Sequence, residues 1–485
     1  MRKQTKAFFS ISACLLCVHF FVMEVNTFAA EKQPNVLLLI SDDLSPESLG
    51  CYGNPQCNTP NIDGLAEAGM RFNKAYCQYP VCGPSRAAMM AGMYPQSTGV
   101  ISNGASDKFT QNMGDRPTMS QLFKQAGYYS ARVSKIYHMR VPGDLTNGVS
   151  GPDHEASWTE YFNCPGPEWM TEGEVRHLSN EKLKMDPNKH YALGFGGAFY
   201  VVKGSSEGEE QPDTQAATKA IELLKAHQKD PFFLAVGFVR PHVPFVAPAP
   251  YFEPYPEAEM ELAETIEGDQ DDIPVIGRAR TSQKMGFTDR PDLKKASLSA
   301  YYACVSYMDQ QVGRVLNALE ELGLRENTIV IFKSDHGYHL GEHEMWQKMS
   351  LHEESARIPL IIDAPGKKPG VSESLVQQID LYPTVATLAG MEIPEHCQGK
   401  SLVPILENPK KSVHQLVYTN RKNGHLIRTQ DWAYMQYDDG SKELYDMKND
   451  PKQYTNQADN PEFAEQVQVM ERMLKRKIRS ITGKS

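Results

Sequence analysis

Beyond its N-terminal segment the chain has no apolar run long enough to cross a bilayer. It also has no zinc-type cysteine spacing, no internal repeat and no excess of positive charge. Each absence removes a class of function. Without a further hydrophobic stretch of roughly 20 residues, a multi-span membrane protein is excluded. Without closely paired Cys or His ligands, a structural zinc module is excluded. Against 60 Asp and Glu there are only 50 Lys and Arg, a net charge of −10, so the overall field disfavours nucleic acid and anionic membranes. An anionic substrate therefore requires a local cluster of cations and metal.

What is present is a globular composition, 40% hydrophobic and 23% charged over 485 residues. That length suits two to three units, or one large domain with a small one. Residues 1–29 carry Arg2, Lys3 and Lys6, an apolar stretch from Ala7 to Met23, and the exit Thr27-Phe28-Ala29. This layout predicts a secretory signal peptide cut after Ala29 or Ala30, hence export to a periplasmic, extracellular or lysosome-like compartment without stable membrane insertion. An uncleaved anchor, or a lipoprotein box at Ile11-Ser12-Ala13-Cys14, ranks below it. Cleavage leaves 47 basic against 59 acidic residues, net −12. The expected organisation is then 30–399 as a catalytic domain and 400–485 as a C-terminal subdomain. Seven of the nine cysteines remain, an odd number for an exported chain, and Cys51 and Cys57 are close enough in sequence to pair.

Asn35 to Ile40 is a continuous apolar run and reads as a strand buried on both faces. It ends in Asp42-Asp43, two carboxylates where α/β folds place ligands and where hard cations bind. Thr59-Pro60 opens a helix, and Arg71 to Tyr76 reads as a short strand. Cys82-Gly83-Pro84-Ser85-Arg86 then starts a small-residue helix, which sets the thiol near the positive end of a helix dipole. Thr118 to Gln125 is predicted helical and leads to Gly127–His138, where Lys135 and His138 stand three apart at a strand exit.

Residues 139–212 read as long loops, and Asp213 to Gln228 as a helix with Ala217, Ile221 and Leu224 on one face. Phe232 to Phe238 is a second buried strand, with His242 held between Pro241 and Pro244 at its exit. Glu253 to Asp289 is acidic and loop-like. The helix predicted from Asp292 to Leu322 carries Leu298, Tyr301, Val305, Met308, Val312, Leu316 and Leu319 at helical spacing, a stripe expected to serve the core alone. Thr328 to Phe332 repeats the first strand's pattern: an apolar run, then Ser334, then Asp335-His336; Lys348 follows. Ile358 to Ile362 is one more strand. After residue 400, short β-prone segments at hairpin spacing precede a final helix from Pro461 to about Ile478, which predicts a small antiparallel sheet with a helix on it.

The run from Cys82 to Gly92 resembles the sulfatase signature, in which the cysteine becomes formylglycine. Gly127–His138 is similar to the second signature, with Ser134 where glycine is expected. Glu443 to Met447 with Asp450-Pro451 resembles the sulfatase C-terminal region. Within the family, Arg240 to Phe245 and Asp335-His336 are most similar to the iduronate-2-sulfatase branch, which usually has Lys at position 240.

The resemblance implies an α/β, alkaline-phosphatase-like fold: a mixed sheet between helices, plus the smaller C-terminal antiparallel sheet and helix. It implies that Asp42, Asp43, Asp335, His336 and the modified Cys82 hold one divalent cation, most often Ca2+. Arg86 is expected to hold the hydrated formylglycine, and Lys135 and Lys348 to neutralise the sulfate. His138 and His242, or Lys348, are the candidate base and leaving-group acid. The implied partners are a sulfated carbohydrate and a formylglycine-generating maturation enzyme, with no nucleic acid.

The implied activity is sulfuric-ester hydrolysis on sulfated sugars, with 2-O-sulfated uronic acids among the candidates. A phosphodiester or phosphonate-ester hydrolase of the same superfamily is the nearer alternative, and a non-catalytic glycan-binding protein the remoter one. Conversion of Cys82 replaces sulfur by oxygen and removes two hydrogens. The peptide containing residue 82, taken from protein made in its native host, is expected to show that mass loss; an intact thiol contradicts the mechanism.

Overall fold

The computed structural model describes residues 1, 33–178, 184–186, 191–193 and 200–483. The chain separates into Met1–Lys32 and Gln33–Ser485. Residues 2–29 of the predicted signal peptide, Cys14 among them, lie outside the described residues.

An eight-stranded mixed sheet forms the frame. Its central strands β1 (Asn35–Asp42), β2 (Tyr129–Ser134), β3 (Phe232–Pro241) and β4 (Thr328–Ser334) run parallel, in the spatial order β4-β1-β3-β2. Glu160–Phe162 extends the sheet beyond β2. On the other side Leu360–Asp363, antiparallel to β4, is followed by Met70–Phe72 and Gly370–Ser372.

Period-two alternation explains the continuous apolar runs. Val36, Leu38 and Ile40 of β1 face a core shared with Met89 and Met90 of helix α1 (Cys82–Ala91). Leu37 and Leu39 face the opposite core, shared with helices α2 (Pro212–Ala226) and α3 (Pro291–Glu321). Every residue of β1 is buried, and truncating one of its leucines to alanine costs about 2–5 kcal/mol. All seven apolar positions predicted on α3 are buried. On α2, Ala217 and Leu224 are buried and Ile221 only partly.

Near the C-terminus, Val417–Arg421, Gly424–Arg428, Trp432–Tyr437 and Lys442–Asp446 form an antiparallel sheet in chain order. Helix Ala464–Thr482 lays Val467, Met470 and Leu474 against Tyr418, Ile427, Tyr434 and Leu444.

Several expectations change. The stretch 139–212 is more ordered than its composition suggests. Glu160–Phe162 joins the main sheet, and Tyr200–Gly204 pairs on one side with Gly173–His177 and on the other with Phe245–Pro248 in a three-stranded sheet. The pairing with Phe245–Pro248 depends on a partner more than 40 positions away, which local pattern does not contain. Part of the predicted loop, residues 179–183, 187–190 and 194–199, lies outside the described residues. The strand expected at Arg71–Tyr76 splits into Met70–Phe72 and Ala75–Tyr76 in different sheets. Ile358–Ile362 likewise splits around Pro359, which has no N–H to donate. Cys51 and Cys57 are free thiols, as are all seven described cysteines. Cys51 is drawn to Asp63, its N–H donating to Oδ1 at 2.7 Å, whereas the Cys57 thiol faces the Tyr302 carbonyl.

Ser134, the departure from the second signature, sits at φ 59° with its buried hydroxyl unpartnered. The left-handed region favours glycine by about 1–2 kcal/mol, offset by about 0.4–1 kcal/mol of added freedom in the unfolded chain. Ser134→Gly is expected to raise the denaturant midpoint, a gain of ~1 kcal/mol; a lower midpoint contradicts this reading.

Candidate active site

The four parallel strands end on the same edge, and each exit delivers side chains to one point. β1 supplies Asp42 and Asp43, β2 leads to Lys135 and His138, β3 to His242, and β4 to Asp335 and His336. Ser41 and Ser334 stand opposite each other in the register and tie the exits together. The Ser41 hydroxyl donates to the Arg240 carbonyl at 2.8 Å. The Ser334 hydroxyl accepts from Leu44 N–H and donates to the His336 carbonyl. Asp43 turns the chain at φ 66°, a conformation Asp tolerates better than most residues, and both adjacent carboxylates thereby reach the site.

Helix α1 brings Cys82 in from above the sheet. Gly83 permits the close approach: a Cβ there would lie 2.3 Å from Ser106 Oγ and 2.9 Å from Asn103 Oδ1. Gly237 does the same in β3, where a Cβ would meet the Lys135 carbonyl oxygen at 2.1 Å. Cys82 Sγ lies 3.4 Å from Asp42 Oδ1, 3.3 Å from His336 Nε2 and 3.4 Å from Lys348 Nζ. Arg86, one turn further along the helix and fully buried, donates from Nε to Asp335 Oδ2 at 2.8 Å and places Nη2 3.6 Å from Asp42 Oδ1. Lys135 pairs with Asp42, and Lys348 with Asp43. Lys348 is flanked by left-handed residues, Gln347 at φ 70° and Met349 at φ 87°, so local backbone strain accompanies its placement.

Two imidazoles have their tautomers set by backbone carbonyls, which only accept. His336 Nδ1 donates to Gly337 O at 2.9 Å, and His242 Nδ1 to Val243 O at 2.6 Å. Nε2 of His336 then faces Asp43 Oδ1 at 3.4 Å and Asp335 Oδ1 at 3.6 Å, beside the Cys82 sulfur. Asp43 Oδ2 is buried without a hydrogen bond, 3.7 Å from His242 Nε2. Such a set suits a divalent cation: three carboxylates with one imidazole whose other nitrogen is held by a backbone carbonyl. Asp42, Cys82, Asp335 and His336 have ligand atoms within 4.8 Å of one another, as do Asp43, Cys82 and His242.

The electrostatics follow from burial and pairing. Burial alone raises the Asp42 carboxyl, but Lys135, His242, Arg86 and Lys348 outweigh it and hold it well below the usual carboxylate range. Burial lowers the Lys348 ammonium, yet Asp43 lifts it above its ordinary value. Burial and the Asp42 charge push the Cys82 thiol up, so unmodified cysteine is a poor nucleophile in this position. Burial, then Lys135, holds His138 well below its ordinary value. Burial, assisted by Lys348 and opposed by Asp43, brings His242 to about 4. Both rings are neutral at neutral pH.

All the residues singled out from sequence lie in or against this cluster. Asp43, Cys82, Lys135, His138, His242 and Lys348 line a cavity of about 580 Å³. Arg240, which stands where the similar branch usually has Lys, has its guanidinium buried and paired with Glu168 and does not line the cavity. Tyr301 is more than core. Its hydroxyl donates to the Asp43 carbonyl and accepts from Ser45 N–H, a role hidden inside an apolar stripe. Glu168 and Asp213 brace the β3 exit, and neither carries any local sequence signal.

The sulfatase family model matches residues 34–391. The chain belongs to the sulfatase family. A second model, the C-terminal region of N-sulphoglucosamine sulphohydrolase, matches residues 341–480. A sulfatase from Formosa agariphila is 29% identical over 489 residues, covering 97% of this chain and 92% of its own. Human iduronate 2-sulfatase is 32% identical over 414 residues, covering 75% of this chain and 70% of its own. Among solved structures, a phosphonate monoester hydrolase from Silicibacter pomeroyi superposes with a TM-score of 0.74 at 22% identity, covering 92% of this chain and 96% of its own. The fold is the alkaline-phosphatase-like α/β type, and this sulfatase is a hydrolase of sulfate esters.

Two outcomes follow from the site geometry. Tyr301→Phe leaves a buried donor and acceptor behind Asp43 unpaired, and is expected to cost about 1–3 kcal/mol in denaturant unfolding; an unchanged midpoint contradicts this. His242 binds its proton near pH 4 folded and near 6.5 unfolded. Between those values the unfolded chain therefore holds more protons, and stability falls as pH drops, by up to ~3 kcal/mol. Denaturant midpoints from pH 7 to 4.5 are expected to fall less in His242→Gln than in the parent.

Proposed function

We propose that this sulfatase is an exported enzyme that removes sulfate from sulfated sugars, with 2-O-sulfated uronic acids as the preferred class. The single observation that carries the reading is the position of Cys82 Sγ, 3.3 Å from His336 Nε2 and 3.4 Å from Asp42 Oδ1. A residue so placed meets a metal-ligand set on one side and a sugar-sized cavity on the other. The similarity to human iduronate 2-sulfatase supports the substrate class.

Asp42, Asp43, Asp335, His336 and residue 82 would hold one divalent cation, Ca2+ as the expected occupant, which would supply Lewis-acid polarisation of a sulfate oxygen. Formylglycine made from Cys82 by a maturation enzyme would supply a hydrated aldehyde as the oxygen nucleophile toward sulfur.

The chain's own residues do the rest. Asp42, Asp43 and Asp335 are matched by Arg86, Lys135 and Lys348, so a divalent ion leaves the site net positive inside an acidic protein. That is the local cluster an anionic ester requires. Arg86, anchored on Asp335, holds the residue 82 side chain in place. Lys135 and Lys348 bear on the sulfate oxygens. His242, neutral and with Nε2 at the cavity, is placed to exchange a proton with the leaving sugar oxygen. His138 is the second neutral base on the same wall.

The phosphonate monoester hydrolase match keeps phosphorus esters as the second reading. The test is parallel turnover of an aryl sulfate, an aryl phosphate diester, and disaccharides sulfated at uronate O2 or glucosamine O6, with the desulfated position read by mass spectrometry. The 2-O-sulfated uronate is expected to be the best sugar substrate and the aryl sulfate to exceed the phosphate diester; the reverse order in either comparison overturns that part of the proposal. Cys82→Ala is expected to lose activity by at least 10³-fold on the order of a nucleophile deletion.

A further inference from the structure

Glu168 is a fully buried carboxylate in a left-handed conformation, φ 53°. Strain of this kind at a non-glycine residue persists where the surroundings over-determine it. What determines it here is Arg240. The guanidinium donates from Nη2 to Glu168 Oε1 at 2.8 Å and from Nη1 to Oε2 at 3.3 Å. The same guanidinium grips the following turn, donating from Nε to the Val246 carbonyl at 2.8 Å and from Nη1 to the His242 carbonyl at 3.4 Å. Both ends of the turn bearing His242 are thus tied to one planar group, whose other two hydrogen bonds go to a carboxylate on a separate segment.

The opposite side of the turn is held as well. Asp213 accepts from Val239 N–H at 2.7 Å and Arg240 N–H at 3.0 Å, and the Arg240 carbonyl accepts from Ser41 of β1. His242 has little freedom left: its Nδ1 is bonded to Val243 O, and Nε2 stands 3.7 Å from Asp43 Oδ2. None of the bracing groups lines the cavity. Their common output is the position of one imidazole.

We propose that Glu168 is a positioning residue for His242, acting through Arg240, and that the pair sets the distance between the imidazole Nε2 and the leaving-group oxygen. This rests on the proton-exchange role given to His242 above. A planar guanidinium can bond two carboxylate oxygens and two carbonyls in one plane, which an ammonium cannot. Displacement of about 1 Å in a catalytic group costs on the order of 100-fold in rate, whereas sulfate binding, made by other residues, is untouched.

The experiment is a double-mutant cycle on the mature enzyme with two substrates, a nitroaryl sulfate whose leaving group needs no proton and a sugar sulfate whose leaving group does. Glu168→Gln is expected to lower kcat on the sugar sulfate about 10- to 100-fold, with little change on the nitroaryl sulfate or in KM, and His242→Ala to lower kcat on the sugar sulfate at least as far. The double variant is expected to lose no more than His242→Ala alone. Thermal unfolding identifies a Glu168→Gln protein that does not fold, and Glu168→Asp, which keeps the charge but retracts it by one methylene, then carries the same comparison. Multiplicative losses in the double variant, equal losses on both substrates, or full activity of the Glu168 variant overturn the inference. Full activity of His242→Ala overturns instead the role of His242 and removes the basis of this one.

Discussion

Three carboxylates and three cations share a site almost closed to water, and neither set is tolerable there without the other. Asp42, Asp43 and Asp335 are at most 1% exposed, as are Arg86 and Lys135. A lone buried charge costs several kcal/mol, whereas a paired and hydrogen-bonded one is bearable. The neighbouring geometry follows from this requirement. Arg86 must enter from α1 at a height that reaches two carboxylates on different strands, and Lys348 must come back from a strained loop to meet Asp43.

Such convergence is available because four parallel strands end on one edge. Parallel register places equivalent residues side by side, so Ser41 and Ser334 bridge the exits while the next residues turn inward. The hydrophobic layers on both faces hold that register, since slipping by one residue would exchange the two cores. Core packing and catalytic geometry are therefore one constraint. Tyr301 shows the join, with its ring in the apolar layer of α3 and its hydroxyl on the backbone of Asp43.

Much of this was legible in the residue string. Strands with both faces buried announce themselves as unbroken apolar runs, and the ligand-type residues follow each run directly: Asp42-Asp43, Lys135, His242, Asp335-His336. Glu168 was not legible, because a lone glutamate among glycines and prolines has no local pattern and its partner lies 72 positions away. Arg240 was legible as a charge but not in direction; only the fold turns it from the cavity toward Glu168. The segment 139–212 read as loop because its strands are short, and two of them find partners outside the segment: Glu160–Phe162 on β2 and Tyr200–Gly204 on Phe245–Pro248.

By itself the sequence determined, through its unbroken apolar runs, which segments form the buried strands, and through motifs a few residues long it carried the family resemblance that implies the fold class and the candidate site residues. The tertiary structure alone decided which carboxylate meets which cation, which imidazole nitrogen faces the site, and what braces His242. Those depend on contacts between segments tens to hundreds of residues apart, whose distances no local pattern carries.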